Sequence, residues 1–129
     1  MHELERALER HQRAIAALER EQDAQREKLL EIEDASHLKS WVDGNARAIV
    51  ETLAESCPPE DRWHLENAES NLRFASSETD ERLGEQAARA RTEIARIDRR
   101  IDEAHDAWSR KCRALEARGE KRSDADWKW

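Results

Sequence analysis

Tyrosine is absent from the 129-residue sequence, glycine occurs three times, proline twice and phenylalanine once. A compact globular domain is roughly 45–50% apolar. This chain reaches 37%, with 5% aromatics, which leaves too little apolar matter for a thick core. Gly44, Gly84 and Gly119 stand far apart, so no glycine-rich phosphate loop can form. No His-Glu-x-x-His and no EF-hand loop occurs either. Acid pairs are plentiful, but acids on a helix surface are ordinarily solvated, and a catalytic pair needs a concave, partly dry pocket. Enzyme activity is therefore not expected, and no cofactor or metal is called for.

Other absences narrow the class further. No apolar run approaches the roughly 20 residues that span a bilayer, so no membrane insertion is expected. The opening Met1-His2-Glu3-Leu4-Glu5 is charged from the start and lacks a signal-peptide core. A cytoplasmic location is the expectation, with export by a signal-less route left open. Net charge is −7 with both signs interspersed, whereas nucleic-acid binding needs a basic face. Cys57 and Cys112 have neither C-x-x-C spacing nor a nearby ligating histidine, and read as free thiols.

What the sequence has in quantity is charge, at 41%, on a background rich in Ala, Glu, Arg and Leu. High charge with low hydrophobicity is also the composition of disorder, but a sustained apolar period argues for long helices. Counted in sevens, Met1, Leu8, Ile15, Gln22 and Leu29 form one row. Leu4, His11, Leu18, Gln25 and Ile32 form the row three positions later. This is coiled-coil periodicity. Downstream, Ala87, Ile94, Ile101, Trp108 and Leu115 make one row, and Leu83, Ala90, Ile97 and Ala104 the other.

Between the two halves lies Ser56-Cys57-Pro58-Pro59-Glu60-Asp61. Prolines inside a helix each cost about 3 kcal/mol or more, while proline suits a first helical position and acids suit a first turn. The chain is expected to turn at Cys57-Pro58-Pro59. Facing residues should then have numbers with a constant sum. Leu8 with Trp108, Ile15 with Ile101, Leu29 with Ala87, Leu4 with Cys112, Val42 with Phe74 and Leu53 with Trp63 all add to 116. Leu18 with Ile97 and Ile32 with Leu83 add to 115. Charge agrees: residues 1–34 hold ten acids and six bases, residues 89–122 seven acids and eleven bases.

The expected fold is all-α: a long antiparallel two-helix coiled-coil hairpin over residues 1–118, with arms of about 2–56 and 59–118. Residues 119–129 are expected to be a flexible tail beginning at Gly119. Each arm would be roughly 80 Å long at 1.5 Å per residue, too long for a Cys57–Cys112 bridge.

Several features stay open at this level. The first-arm seam slips after Ile32, where Ser36 and Lys39 fill the expected slots and apolar positions resume at Leu38, Val42, Ile49 and Leu53. Such a slip locally rewinds a coiled coil. Asp43-Gly44-Asn45 then either kinks one helix or frees a short separate helix from about 46 to 56. Trp41, Trp63 and Phe74 in this loose third either meet a partner or close over one another at the hairpin tip. Trp127 and Trp129 in the tail are further partner-binding candidates. Gln22 and Gln25 form a polar layer suited to fixing register. His11 and His105 also add to 116, which raises a metal or pH-switch reading.

The stretch from Trp63 through Phe74 and Leu83 to the Ile94, Ile97, Ile101 and Trp108 ladder resembles the small targeting factors that accompany LXG toxins in type VII secretion. The related WXG-type proteins carry Trp-x-Gly at the turn. Here Trp41-Val42-Asp43-Gly44 has one residue more and lies elsewhere, and Phe74-Ala75-Ser76-Ser77-Glu78 matches their aromatic-then-acid export motif loosely. The resemblance implies a cytoplasmic, non-enzymatic adaptor or chaperone that binds another helical protein. A homo- or hetero-oligomer is expected, because Ala14, Ala17, Ala88 and Ala95 flank the seam and would let further helices approach. The chain is also similar in architecture to the coiled-coil stalk of type III export ATPases, though such stalks tend to be basic. A spacer or oligomerisation coiled coil with no cargo is the alternative from another class.

Overall fold

The computed structural model describes the backbone of residues 2–126 and the side chains of residues 2–119. Helix α1 spans His2–Ser56, a single 3-10 turn spans Pro59–Asp61, and helix α2 spans Arg62–Asp126. The chain is an all-α antiparallel two-helix hairpin, and the prolines make its turn. Each proline disfavours helical geometry in the residue before it, so α1 stops at Ser56 and Pro58 is extended, at φ −62° and ψ 148°. Pro59, with no N–H to leave orphaned, opens the 3-10 turn. The Asp61 N–H donates to the Pro58 carbonyl at 3.0 Å.

Of the two alternatives at Gly44 the structure takes the continuous helix: α1 runs unbroken through it, so residues 46–56 are not a separate helix. One glycine costs a helix only about 1 kcal/mol, and no proline stands beside it to make the break. Gly119 does not end α2, which continues to Asp126. No glycine among the described residues adopts positive φ, so the left-handed cap that would stop a helix there is missing. Trp127 and Trp129 lie outside the described residues.

The hairpin comprises two units, one of Met1–Gln25 with Thr92–Trp129 and one of Arg26–Arg91. In the first unit the mirrored seam is present. Ile97 is completely buried and Ala7 nearly so. Around them Ile15 and Leu18 of α1 and Ile94, Ile101, Trp108 and Leu115 of α2 are half-buried. A two-helix seam covers each side chain from one direction only, which is why half-burial is its normal state. Leu4 and Leu8, expected in the seam, are 43% and 39% exposed, and Ala7 takes the inner place. Its small side chain lets the helices approach and leaves the larger leucines on the flanks.

Two polar contacts fix this register. The His11 ring stacks on Trp108, with centroids 5.1 Å apart and planes 12° apart, and meets His105 edge-on at 5.2 Å. Gln22 is only 5% exposed, and its Nε2 donates to the Ile94 carbonyl at 3.3 Å and to the Asp98 carboxylate. Gln22→Leu should therefore leave stability within about 1 kcal/mol of the parent, or raise it, because Asp98 is exposed and keeps its water. The loss should be in uniqueness: extra amide resonances around Ile94 are expected in the NMR spectrum, from slipped pairings. A single sharp set would show that Gln22 does not specify register.

Candidate protein-binding surface

In the second unit the geometric seam and the apolar residues part company. Counted on from Ile32, the half-buried positions of α1 are Ser36, Lys39, Asp43, Ala46 and Val50, still alternating by four and three. The heptad does not slip. On α2 the inward positions are Leu65, Glu69, Ser76 and Leu83, followed by buried Ala87 and Ala90, and Leu29 and Ile32 meet this end of the unit half-buried. The helix therefore keeps its phase and accepts polar residues inside. Backbone geometry is continuous and stiff, whereas a polar seam position can be satisfied if its partners are supplied.

Those partners are present. Lys39 Nζ reaches the Asp43 carboxylate, donates to Ser76 Oγ at 2.8 Å and pairs with Asp80 at 2.8 Å. The Ser76 hydroxyl donates to Asp43 Oδ2 at 2.8 Å. The Lys39 side chain is 12% exposed within this network. Hydrogen bonds to Asp43 first and then to Asp80 hold its pKa above the ordinary lysine value. Hydrogen bonds from Lys39 and then Ser76 hold the Asp43 carboxyl below the usual carboxylate value. An open cleft of about 580 Å³ beside the network is lined with charge, including Arg47, Glu51, Glu69 and Arg73.

The displaced apolar residues are on the outside. Leu38, Trp41, Val42, Ile49 and Leu53 are all half to two-thirds exposed, with Trp41 at 68% and Ile49 at 60%. With Asn45, Ala48 and Thr52 they make one uncharged face of α1, with a groove of about 760 Å³ running beside Trp41, Val42, Ile49 and Leu53. On α2, Trp63 and Phe74 are 66% and 71% exposed. They stand eleven residues apart, three helical turns, and so share a face. That face points away from the inward Ser76 and Leu83, since two residues on a helix differ by about 200°. The Trp63 ring meets its neighbour His64 edge-on at 5.1 Å.

These positions correct the pairing drawn from the sequence. Val42 does not face Phe74, nor Leu53 Trp63, because all four are largely in water. Trp41, Trp63 and Phe74 do not close over one another. The mirror rule holds for Lys39 with Ser76, which add to 115, because it describes the backbone and not hydrophobicity. Leu38, Ile49 and Leu53, read as seam, belong to the surface. Leu72, at an inward α2 position, is 48% exposed because the residues opposite it are polar.

Among the described residues no three His, Cys, Asp or Glu side chains come together as a metal site. Cys57 and Cys112 are half-buried and unpaired. None of the described helices is long and apolar enough to cross a membrane. The two exposed faces of the second unit, Leu38 to Leu53 on α1 and Trp63 with Phe74 on α2, are left uncovered by the described residues. No protein-family model matches the chain, and no curated protein or solved structure matches it either.

Proposed function

We propose that the chain is a non-enzymatic adaptor that binds another helical protein through the outer faces of its second unit. One observation carries the reading: in that unit Ser36, Lys39, Asp43 and Ser76 take inward positions while nine large apolar side chains, three of them aromatic, stand about half or more in water. A structural rod needs the reverse arrangement, since every apolar residue moved outward weakens its seam and raises its tendency to aggregate. Exposed apolar residues at helical spacing suit a helical partner, and tryptophan is enriched among residues that dominate binding energy.

The resemblance of α2 to type VII targeting factors makes a secretion cargo the expected partner class. On this reading the polar network around Lys39 holds the two helices together where apolar packing is thin.

The test uses the full chain as bait in its native cells, followed by reconstitution with the purified partner. Trp63→Ala with Phe74→Ala should weaken binding at least tenfold, the usual scale for loss of interfacial aromatics. The circular-dichroism spectrum should be unchanged, as both side chains are exposed. Binding that ignores these substitutions removes the reading. Stimulation of an export ATPase in trans, with no separate cargo, would instead favour the stalk.

A further inference from the structure

The two exposed faces of the second unit differ in charge. The α1 face is uncharged, whereas the α2 face sets its aromatics among acids. At 100° per residue, Glu66, Glu78, Glu81 and Glu85 all fall within about 60° of Trp63 around the helix, and Phe74 within about 20°. All four acids are exposed. From Trp63 to Glu85 no lysine or arginine lies in that arc. The nearest, Arg62, Arg73 and Arg82, stand about 80–100° away from Trp63. Neutral Asn67 and Ser70 lie between the two rings on the same side.

These acids are little neutralised by their own chain. Arg82 reaches Glu78 at 3.5 Å, with its side chain 74% exposed. No ion pair among the described residues holds Glu66, Glu81 or Glu85. The whole chain carries a net charge of −7, which adds to the field around them.

Resting on the adaptor reading above, we infer that the partner segment bound at Trp63 and Phe74 is a basic amphipathic helix. Its apolar side chains cover the two rings, which stand about 16 Å apart along α2. Its lysines and arginines meet Glu66, Glu78, Glu81 and Glu85. A cation is also drawn to the face of an exposed tryptophan or phenylalanine ring, so rings and acids favour the same partner. An acidic helix meets like charge at each of these positions. Nucleic acid and anionic lipid headgroups are repelled by the same four carboxylates.

The two kinds of side chain act on different steps. Attraction between exposed charges mainly speeds encounter and is screened by salt, so reversing the acids should slow association. Buried rings hold the complex together, so truncating them should speed dissociation.

The test uses the full chain and one synthetic amphipathic peptide of about 20 residues, long enough to cover both rings. It is made in lysine, glutamine and glutamate versions on an unchanged leucine stripe. The lysine version should bind at least about tenfold more tightly than the glutamate version in about 50 mM salt, and the gap should narrow in about 1 M salt. Trp63→Ala with Phe74→Ala should weaken the lysine peptide at least about tenfold. Glu81→Lys with Glu85→Lys should remove most of the preference and leave helicity intact, as both side chains are exposed.

Equal binding of the lysine and glutamate peptides overturns the inference. So does binding that ignores loss of the two rings, a preference that survives the acid reversals, or failure of every version to bind. Self-association of the chain alone that disappears in Trp63→Ala with Phe74→Ala puts a second copy on this face and also ends it. The adaptor reading fails separately. Native cargo captured through the two rings, but indifferent to salt and to the acid reversals, sinks the basic helix and leaves the adaptor. Selection of the lysine peptide with no native cargo leaves the surface chemistry without the adaptor role.

Discussion

Ile97→Ala is expected to cost about 2–5 kcal/mol, the range for truncating a buried isoleucine, and to be the most damaging alanine substitution in the hairpin. Ile97 is the only large side chain described here with no exposed surface. Its neighbours in the first unit, Leu18, Ile94 and Ile101, are already only partly buried and cannot move inward without exposing their other side. The site therefore collapses poorly, which places the loss toward the upper part of the range. Domain stability is typically 5–15 kcal/mol, so the substitution removes a large fraction of it. Urea unfolding followed at 222 nm should show a clearly lowered midpoint. Leu8→Ala, at a 39% exposed position, serves as the control and should lose far less. Equal losses at the two positions would mean that Ile97 is not the centre of the seam.

The second large effect concerns the Lys39 network and acid. Asp43 is held below its usual pKa, so the stability it contributes is present above the unfolded carboxylate value near pH 4 and is lost as pH falls through the lower folded value. Lys39 is held above its usual pKa, so its contribution is present below about pH 10.5 and lost as pH rises through the higher folded value. Between those limits the network should hold the second unit at a plateau. Below about pH 4 amide protection, taken relative to the intrinsic exchange rate at each pH, should fall around residues 36–43 and 76–80 before it does around Ile97.

Lys39→Met should bring that loosening up in pH, because Asp43 then loses the partner that depresses its pKa while Ser76 remains. Paired substitution Lys39→Leu with Asp43→Leu should strengthen the unit instead, since apolar replacement of an inward ion pair is often stabilising. Protection factors indifferent to pH would show that the network holds nothing together. Asp43 is about a third exposed and Asp80 two-thirds, so salt should blunt these effects.

The first unit was legible because hydrophobicity and helix geometry agree there: Ile15, Leu18, Ile94, Ile97 and Ile101 are both the apolar residues and the inward ones. In the second unit they disagree. Following the apolar residues from Ile32 led to Leu38, Val42, Ile49 and Leu53, and so to a slip that the helix does not make. Counting on in sevens would have given Ser36, Lys39 and Asp43 as inward positions, with Ser76 opposite Lys39 by the same mirror rule that placed His11 beside His105. That signal was present, but it required trusting geometry over polarity. Gly119 misled for a related reason: a glycine permits a helix to end without compelling it, and no proline stands behind this one.

The sequence alone determined that the chain doubles back at Pro58 and Pro59. Two rings without N–H donors cannot sit inside a helix, and the mirrored heptads on either side have each other to bury against. It also determined the register of the first unit, through residues whose chemistry and position coincide. Only the folded structure decided that the heptad count, and not the apolar residues, sets which side of α1 faces α2 between residues 36 and 50. Lys39 lies inward because two carboxylates and a hydroxyl converge on it. The count marks the positions, but that convergence belongs to four residues from two helices. The exposure of Trp41, Trp63 and Phe74 follows from that choice, and with it the surface on which the proposed function depends.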